Sequence, residues 1–363
     1  MEEMDCVVCH APGDYRLEKR PVPKVEDGDV LVRVLAVGIC AGDAKCFAGA
    51  PYFWGDEDHP QYVQPPVIPG HEFFGEVIKL GKGAKEMYNL QVGDHAIAEQ
   101  IVPCGMCRMC NKGSYNMCVP HDVYGFKQKT HGAMATYMKY IAGSMIHKVP
   151  KSIPAWQAAY IEPLACAIHA VELGNIQFND VVVVSGCGPL GLGMLAAAKQ
   201  KNPVKLIALD LYDWKLDIAK KCGADLTLNP NKCDVVKEVT ELTCGYGCDV
   251  YIEATGHPSS VKQGLKMIIR QGRFVEYSVF GKETSVDWTI ISDAKEITIQ
   301  GGHMSPHCYP KAISMIERGQ VPIKDIITHK FPMTDVVKGL EMVNNSANSI
   351  KVVLFPNAED ANK

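Results

Sequence analysis

The stretch Val181-Val182-Val183-Val184-Ser185-Gly186-Cys187-Gly188-Pro189-Leu190-Gly191 decides the fold. Four consecutive β-branched residues read as a strand buried on both faces, as a parallel sheet requires. A Gly-x-Gly-x-x-Gly turn follows at once and opens a helical pattern. In that setting Gly186 allows the tight turn and Gly188 lets backbone N–H groups approach a pyrophosphate. Gly191 lets helix pack on strand, and Pro189 and Leu190 begin the helix whose dipole favours the anion. Asp210 ends the next apolar run, where a carboxylate accepts hydrogen bonds from an adenosine ribose and repels a 2′-phosphate. No Arg follows it closely, so NAD is expected rather than NADP, with Lys215 as the opposing charge.

Outward from this turn the texture alternates strand and helix. Helical patterns at Leu190–Lys201 and Trp214–Cys222 alternate with strands at Lys205–Leu209, Asp249–Glu253, Arg273–Val279 and Glu296–Gln300. The alternation predicts a doubly wound α/β domain over residues 161–304. Residues 1–160 carry instead short strands broken by Gly and Pro, such as Val30–Val37, Gly75–Leu80 and His95–Ala98, and read as a β-rich module with long loops. Residues 305–363, with a helix at Pro310–Arg318 and a strand at Lys351–Phe355, complete no further domain and are expected to fold back onto that module. Residues 357–363 read as a frayed end.

Cys104, Cys107, Cys110 and Cys118 form a second dense motif. Four thiols so close in sequence can close a tetrahedral zinc site, with Gly105 and Gly113 letting the chain turn between ligands. An iron–sulfur cluster is disfavoured because the fourth Cys of the bacterial ferredoxin pattern follows after three residues. A disulfide scaffold suits short secreted chains, whereas this one has 363 residues and an odd fifteen Cys. Cys6-Val-Val-Cys9-His10 matches a haem-attachment pattern but reads better as a strand with two packed thiols.

A net charge of −4 gives no electrostatic footprint for nucleic acid. The acidic start Met1–Asp5 lacks the signs of a signal peptide, and no apolar run approaches the ~20 residues that span a bilayer. The expectation is a soluble, cytoplasmic protein with neither nucleic acid nor membrane as partner.

Further residues gain meaning together: Gly38-Ile-Cys40 with Asp43, Gly70-His71-Glu72, Val92-Gly-Asp94, Glu162-Pro163-Leu164 and Glu253-Ala-Thr-Gly256. With the four-Cys loop and the glycine-rich turn, these make the chain resemble the zinc-dependent medium-chain dehydrogenases over essentially its whole length. Glu162-Pro163-Leu164 and Ile326–Pro332 are similar to the sorbitol and threonine dehydrogenase branch. Phe53–Glu57, Glu99–Cys104 and Pro120–Phe126 look like the bacterial dehydrogenases of the four-carbon polyols erythritol and L-threitol.

The resemblance implies a GroES-like catalytic domain with an inserted Rossmann domain, two zinc ions per chain and NAD as cofactor. Cys40, His71 and Glu72 would ligate a catalytic zinc, with Glu162 beside it as a ligand or as holder of the zinc-bound water. Cys104, Cys107, Cys110 and Cys118 would hold a structural zinc. The reaction implied is oxidation of a short polyol to a ketose such as erythrulose, by a homotetramer or homodimer. An L-threonine or sugar-phosphate dehydrogenase, or a non-catalytic crystallin-like NAD-binding protein, are the other readings.

Two departures from the family stand out. Many relatives have Ser or Thr two residues after the zinc Cys, to relay the alcohol proton, where this chain has Gly42; Glu162 with water, or a group near Lys45, would then serve. Where sorbitol dehydrogenases carry an Arg near the pocket this chain has Met304, which speaks against sorbitol. The loop Tyr52–Glu57 is either a wall of the substrate pocket or a packed Trp54 beside a solvated charge run.

Overall fold

The computed structural model describes residues 2–362. The chain divides into two compact units, one formed by 1–162, 313–318 and 327–363, the other by 163–312 and 319–326. The division differs from the sequence-based limits. Residues 305–312 join the second unit because the turn at Cys308 and the following helix, Tyr309–Glu317, anchor on Glu172: Lys311 Nζ pairs with its carboxylate and Cys308 Sγ lies 3.7 Å from it.

The first unit is built on a seven-stranded sheet in the order Ile327–Pro332, Lys351–Phe355, Val30–Ile39, Glu72–Leu80, His95–Ala98, Ile146–Val149, with Tyr137–Tyr140 also pairing on Val30–Ile39. Val30–Ile39 is apolar at nearly every position and buried along almost its whole length, which suits the centre of the sheet. Its register sets the site. Gly38 opposes Glu72 and Ile39 opposes Val352, so the residues just beyond, Cys40, His71 and Lys351, converge at one end of the sheet. The strand expected from Gly75 starts earlier, at Glu72, which pairs with Gly38. A Cβ on Gly38 would lie 2.1 Å from Glu72 Oε2 and 3.0 Å from Lys351 Cε, so only glycine leaves room for those two side chains.

The second unit holds a six-stranded parallel sheet, ordered Leu226–Leu228, Lys205–Leu209, Val181–Ser185, Cys248–Glu253, Ile268–Glu276, Thr298–Gly301. The order reverses at Val181–Ser185, the switch point of a doubly wound sheet, and the glycine-rich turn leaves the carboxyl end of that strand. Val183, Ile207, Tyr251 and Phe274 lie in one core cluster of this unit.

One expectation changes and another holds. The tail is not frayed within the described residues: Ala358–Asn362 forms a 3₁₀ turn, and the buried Asp360 pairs with Arg33 at 2.8 Å, while Lys363 lies outside the described residues. Cys6 and Cys9 lie on the strand Glu3–Ala11, fully buried, and burial pushes both thiols up to about 11. His10 pairs with Glu18 at 2.6 Å rather than facing a ligand.

Candidate active site and cofactor turn

Cys40 ends the central strand and caps the helix Ala41–Phe47, its Sγ accepting from the Gly42 N–H at 3.4 Å. Asp43, one turn in, closes a capping box: its Oδ2 accepts from the Cys40 N–H at 2.9 Å and its Oδ1 lies 3.3 Å from His71 Nδ1. One buried carboxylate thus fixes the positions of two prospective ligands. The ligating atoms of Cys40, His71 and Glu72 all lie within 4.8 Å of one another.

The residues fit a divalent cation. Neither His71 Nδ1 nor Glu72 Oε2 has a hydrogen bond of good geometry, and each is buried against one charged neighbour, Asp43 and Lys351 respectively. Burial alone would push the His71 imidazolium down, but Asp43 and then Cys40 outweigh it and raise its pKa well above the usual value. Asp43 and Cys40 therefore favour positive charge at His71. Thiolate, imidazole and carboxylate are a borderline set suited to zinc, and three ligands leave a fourth position for substrate.

Glu162 is not among the atoms that converge. It is buried at the start of the helix Ile161–Leu173 and its Oε1 accepts from Gln100 Nε2 at 2.7 Å. Aromatic rings stand around His71. Phe126 lies 5.4 Å from it, and Phe53 stacks on Phe126 at 5.3 Å and 14°. In the loop Tyr52–Glu57 the Trp54 indole donates to Cys46 O at 2.7 Å, while Asp56 accepts from the His59 and Asp58 N–H groups of its own turn. Trp54 therefore packs and Asp56 is a turn cap, leaving Phe53 as the residue of this loop that faces the site.

The four-Cys loop is assembled from sequence-local geometry. All four sulfurs lie within 4.8 Å of one another, and the N–H groups of Cys104, Cys107 and Cys110 point at Cys118, Cys104 and Cys107 Sγ at 3.2, 3.4 and 3.5 Å. Backbone N–H groups of Val119 and Cys110 lower the Cys107 thiol to about 6, whereas burial raises Cys110 to about 12. All fifteen cysteines are free thiols, so the loop holds no disulfide. Four sulfurs around one point offer a metal no open position.

In the second unit the glycine-rich turn forms as expected. Gly188 caps the helix Pro189–Lys199 with no side-chain bond, and a Cβ there would meet nothing within 4 Å, leaving a cradle before the helix N-terminus. Gly191 is the opposite case, since its Cβ would come 1.8 Å from Gly186 O. Asp210 accepts from the Cys187 N–H at 2.7 Å and the Tyr212 N–H at 2.9 Å, so the carboxylate meant for a ribose also ties the turn to its strand. Glu253, buried, accepts from the Thr255 and Gly256 N–H groups and shapes the loop that lies against Gly186.

Three residues gain roles that sequence reasoning had not assigned. Asp43 stood in a motif without a function, and Gln100 and Lys351 were not singled out. Lys351 left a readable signal: a charged residue opening the apolar run Lys351–Phe355 must find a buried partner.

A β-rich unit with a Cys/His/Glu set, joined in one chain to a parallel sheet with a dinucleotide turn, defines a metal- and nucleotide-dependent dehydrogenase. Residues 26–151 match the alcohol dehydrogenase GroES-like domain and residues 189–318 the zinc-binding dehydrogenase domain. The chain is 54% identical to the erythritol/L-threitol dehydrogenase of Mycolicibacterium smegmatis over 98% of both chains. It is 35% identical to the L-threonine 3-dehydrogenase of Bacillus licheniformis, over 93% of this chain and 94% of that one. An Escherichia coli alcohol dehydrogenase solved in complex with NADH superposes with a TM-score of 0.86 at 26% identity, covering 98% of this chain and all of the other. The protein belongs to the zinc-dependent medium-chain dehydrogenase family and is an NAD-dependent oxidoreductase acting on a small molecule. Among the described residues no helix is long and apolar enough to cross a membrane.

Proposed function

We propose that the protein oxidises a secondary alcohol of a four-carbon polyol, erythritol or L-threitol, to erythrulose. The 54% identity to an erythritol/L-threitol dehydrogenase over nearly the whole of both chains carries this reading, and the convergence of Cys40, His71 and Glu72 supports it. Zinc held by these three would supply Lewis-acid polarisation of a substrate hydroxyl, and NAD cradled at Gly186, Gly188 and Gly191 would supply the hydride acceptor. Asp43, 3.3 Å from His71 Nδ1, holds the imidazole beside Cys40 and Glu72. Lys351 balances the Glu72 carboxylate, and Phe53 and Phe126 keep bulk water from one side.

Gly42 offers no hydroxyl, so the substrate proton leaves through ordered water to the Glu162 carboxylate, which Gln100 keeps in place. A side chain at position 42 has room, since its Cβ would lie 3.7 Å from Cys40 Sγ and from Phe53 Cζ. Glu162→Gln therefore costs far more turnover than Gly42→Ser, about 10²-fold or more, the usual range for a general base; equal losses would sink this assignment.

Cys104, Cys107, Cys110 and Cys118 hold a second, structural zinc. The protein acts in the cytoplasm, without nucleic acid or membrane partners, as a homotetramer or homodimer. The exposed edge strand Thr298–Gly301, and the exposed Trp288 in the 3₁₀ turn Trp288–Ile290 that precedes it, support self-association. The deciding experiment is NADH formation against erythritol, L-threitol, sorbitol and L-threonine. The highest kcat/KM falls on a four-carbon polyol, and a preference for threonine overturns the substrate assignment.

A further inference from the structure

A third group of metal-ligand side chains lies away from both expected zinc sites. His169, Glu172 and Cys308 bring their ligating atoms within 4.8 Å of one another, the same closeness that gathers Cys40, His71 and Glu72. His169 and Glu172 are three residues apart on one face of the helix Ile161–Leu173, and Cys308 immediately precedes the helix Tyr309–Glu317. All three belong to the second unit.

We infer that these residues form a further binding site for a borderline divalent ion such as zinc. The donor set repeats that of the first unit in detail: one thiol, one imidazole and one carboxylate, with the carboxylate ion-paired to a lysine, Glu172 to Lys311 here and Glu72 to Lys351 there. Cys308 is fully buried, and its one S–H faces two acceptors at once, Pro306 O at 3.3 Å and Glu172 Oε2 at 3.7 Å. A thiol can satisfy only one of them, whereas a cation bound by the thiolate would draw on the carboxylate as well. Among the described residues the His169 nitrogens have no hydrogen-bond partner, its ring making only an edge contact with Tyr277 at 6.2 Å. From the bond lengths of zinc to sulfur, nitrogen and oxygen, neighbouring ligand atoms sit about 3.3–3.8 Å apart. The cluster thus needs only a small contraction, which rotation of the partly exposed His169 and Glu172 side chains can supply. A bound ion would pin the turn carrying Met304, Pro306 and Cys308 to the helix Ile161–Leu173.

The test is metal stoichiometry of the full-length protein, loaded with zinc, passed over a mild chelating resin and measured by elemental analysis, with cobalt(II) titration following thiolate charge-transfer absorption. Cys308→Ser and His169→Gln each bind one ion fewer than the parent, and Cys308→Ser loses part of the cobalt–thiolate band. Unchanged stoichiometry and band in a folded variant overturn the site. His169 is partly exposed, so His169→Gln serves if the buried Cys308 variant does not fold. Cys40→Ser must leave the Cys308-dependent ion in place, so failure of the catalytic assignment and failure of this one are separate results. If neither His169→Gln nor Cys308→Ser folds, a zinc-loaded parent in which Cys40→Ser leaves only one ion per chain overturns the proposal.

Discussion

Lys351 Nζ is ion-paired with Glu72 Oε2, and both side chains are almost wholly buried. Lys351 also donates to Ile39 O at 2.9 Å, so the ammonium ties the strand that ends at Cys40 to the carboxylate that neighbours His71. Breaking a buried pair from one side leaves the other charge uncompensated. Lys351→Met should cost about 3–5 kcal/mol in metal-free protein, and distinctly less when zinc is loaded, because a cation then balances Glu72. Denaturant titrations with and without zinc check this; equal losses in both would mean that Glu72 does not face the metal.

Cys40→Ser should remove one equivalent of zinc and lower turnover by about 10³-fold or more, the scale of losing a group that stabilises transition-state charge. The four-Cys loop should keep its ion. Zinc analysis alongside NADH formation measures both, and retention of the full metal content would overturn the ligand assignment.

Removing zinc should expose a graded thiol reactivity in the four-Cys loop. A lowered pKa leaves Cys107 as thiolate above about 6 and protonated below it, while Cys110, raised to about 12, stays protonated at neutral pH. In chelator-treated protein at pH 7, iodoacetamide should label Cys107 well before Cys110, with the Cys107 rate falling as pH drops through 6. Peptide mapping after short exposure reads the order, and equal labelling of the two would refute it.

Asp210→Ala should act twice. It strands the Cys187 and Tyr212 N–H groups, costing about 1–3 kcal/mol, and it removes the charge that opposes a 2′-phosphate. KM for NAD should rise, and the preference for NAD over NADP should fall by about tenfold or more. An unchanged cofactor ratio would show that Asp210 serves the turn alone.

Gly191→Ala should abolish dinucleotide binding, since its Cβ would come 1.8 Å from Gly186 O and the turn must open. Fluorescence titration with NADH checks this, and binding within a few-fold of the parent would contradict it.

Local chemistry is legible in the sequence. The apolar run at Val181 with the glycines after it specified a buried strand, a tight turn and a helix start, because these demands are met by neighbouring residues. The four cysteines likewise needed only their own loop. Element limits such as Lys205–Leu209 and Lys351–Phe355 followed from composition alone.

What joined Cys40, His71, Glu72 and Lys351 was strand register, which no local pattern encodes. Gly38 opposite Glu72 and Ile39 opposite Val352 bring together residues separated by more than three hundred positions, and the cost of ordering them is met by burying the whole sheet. Cys308 meets His169 and Glu172, and Gln100 meets Glu162, through packing of helix, turn and loop, which no local pattern encodes either. Sequence by itself determined the kinds of unit, the dinucleotide turn and the thiol loop. Tertiary structure alone decided which distant charges share a buried space, because an ion pair or ligand set depends on distance through space, and distance along the chain does not fix it.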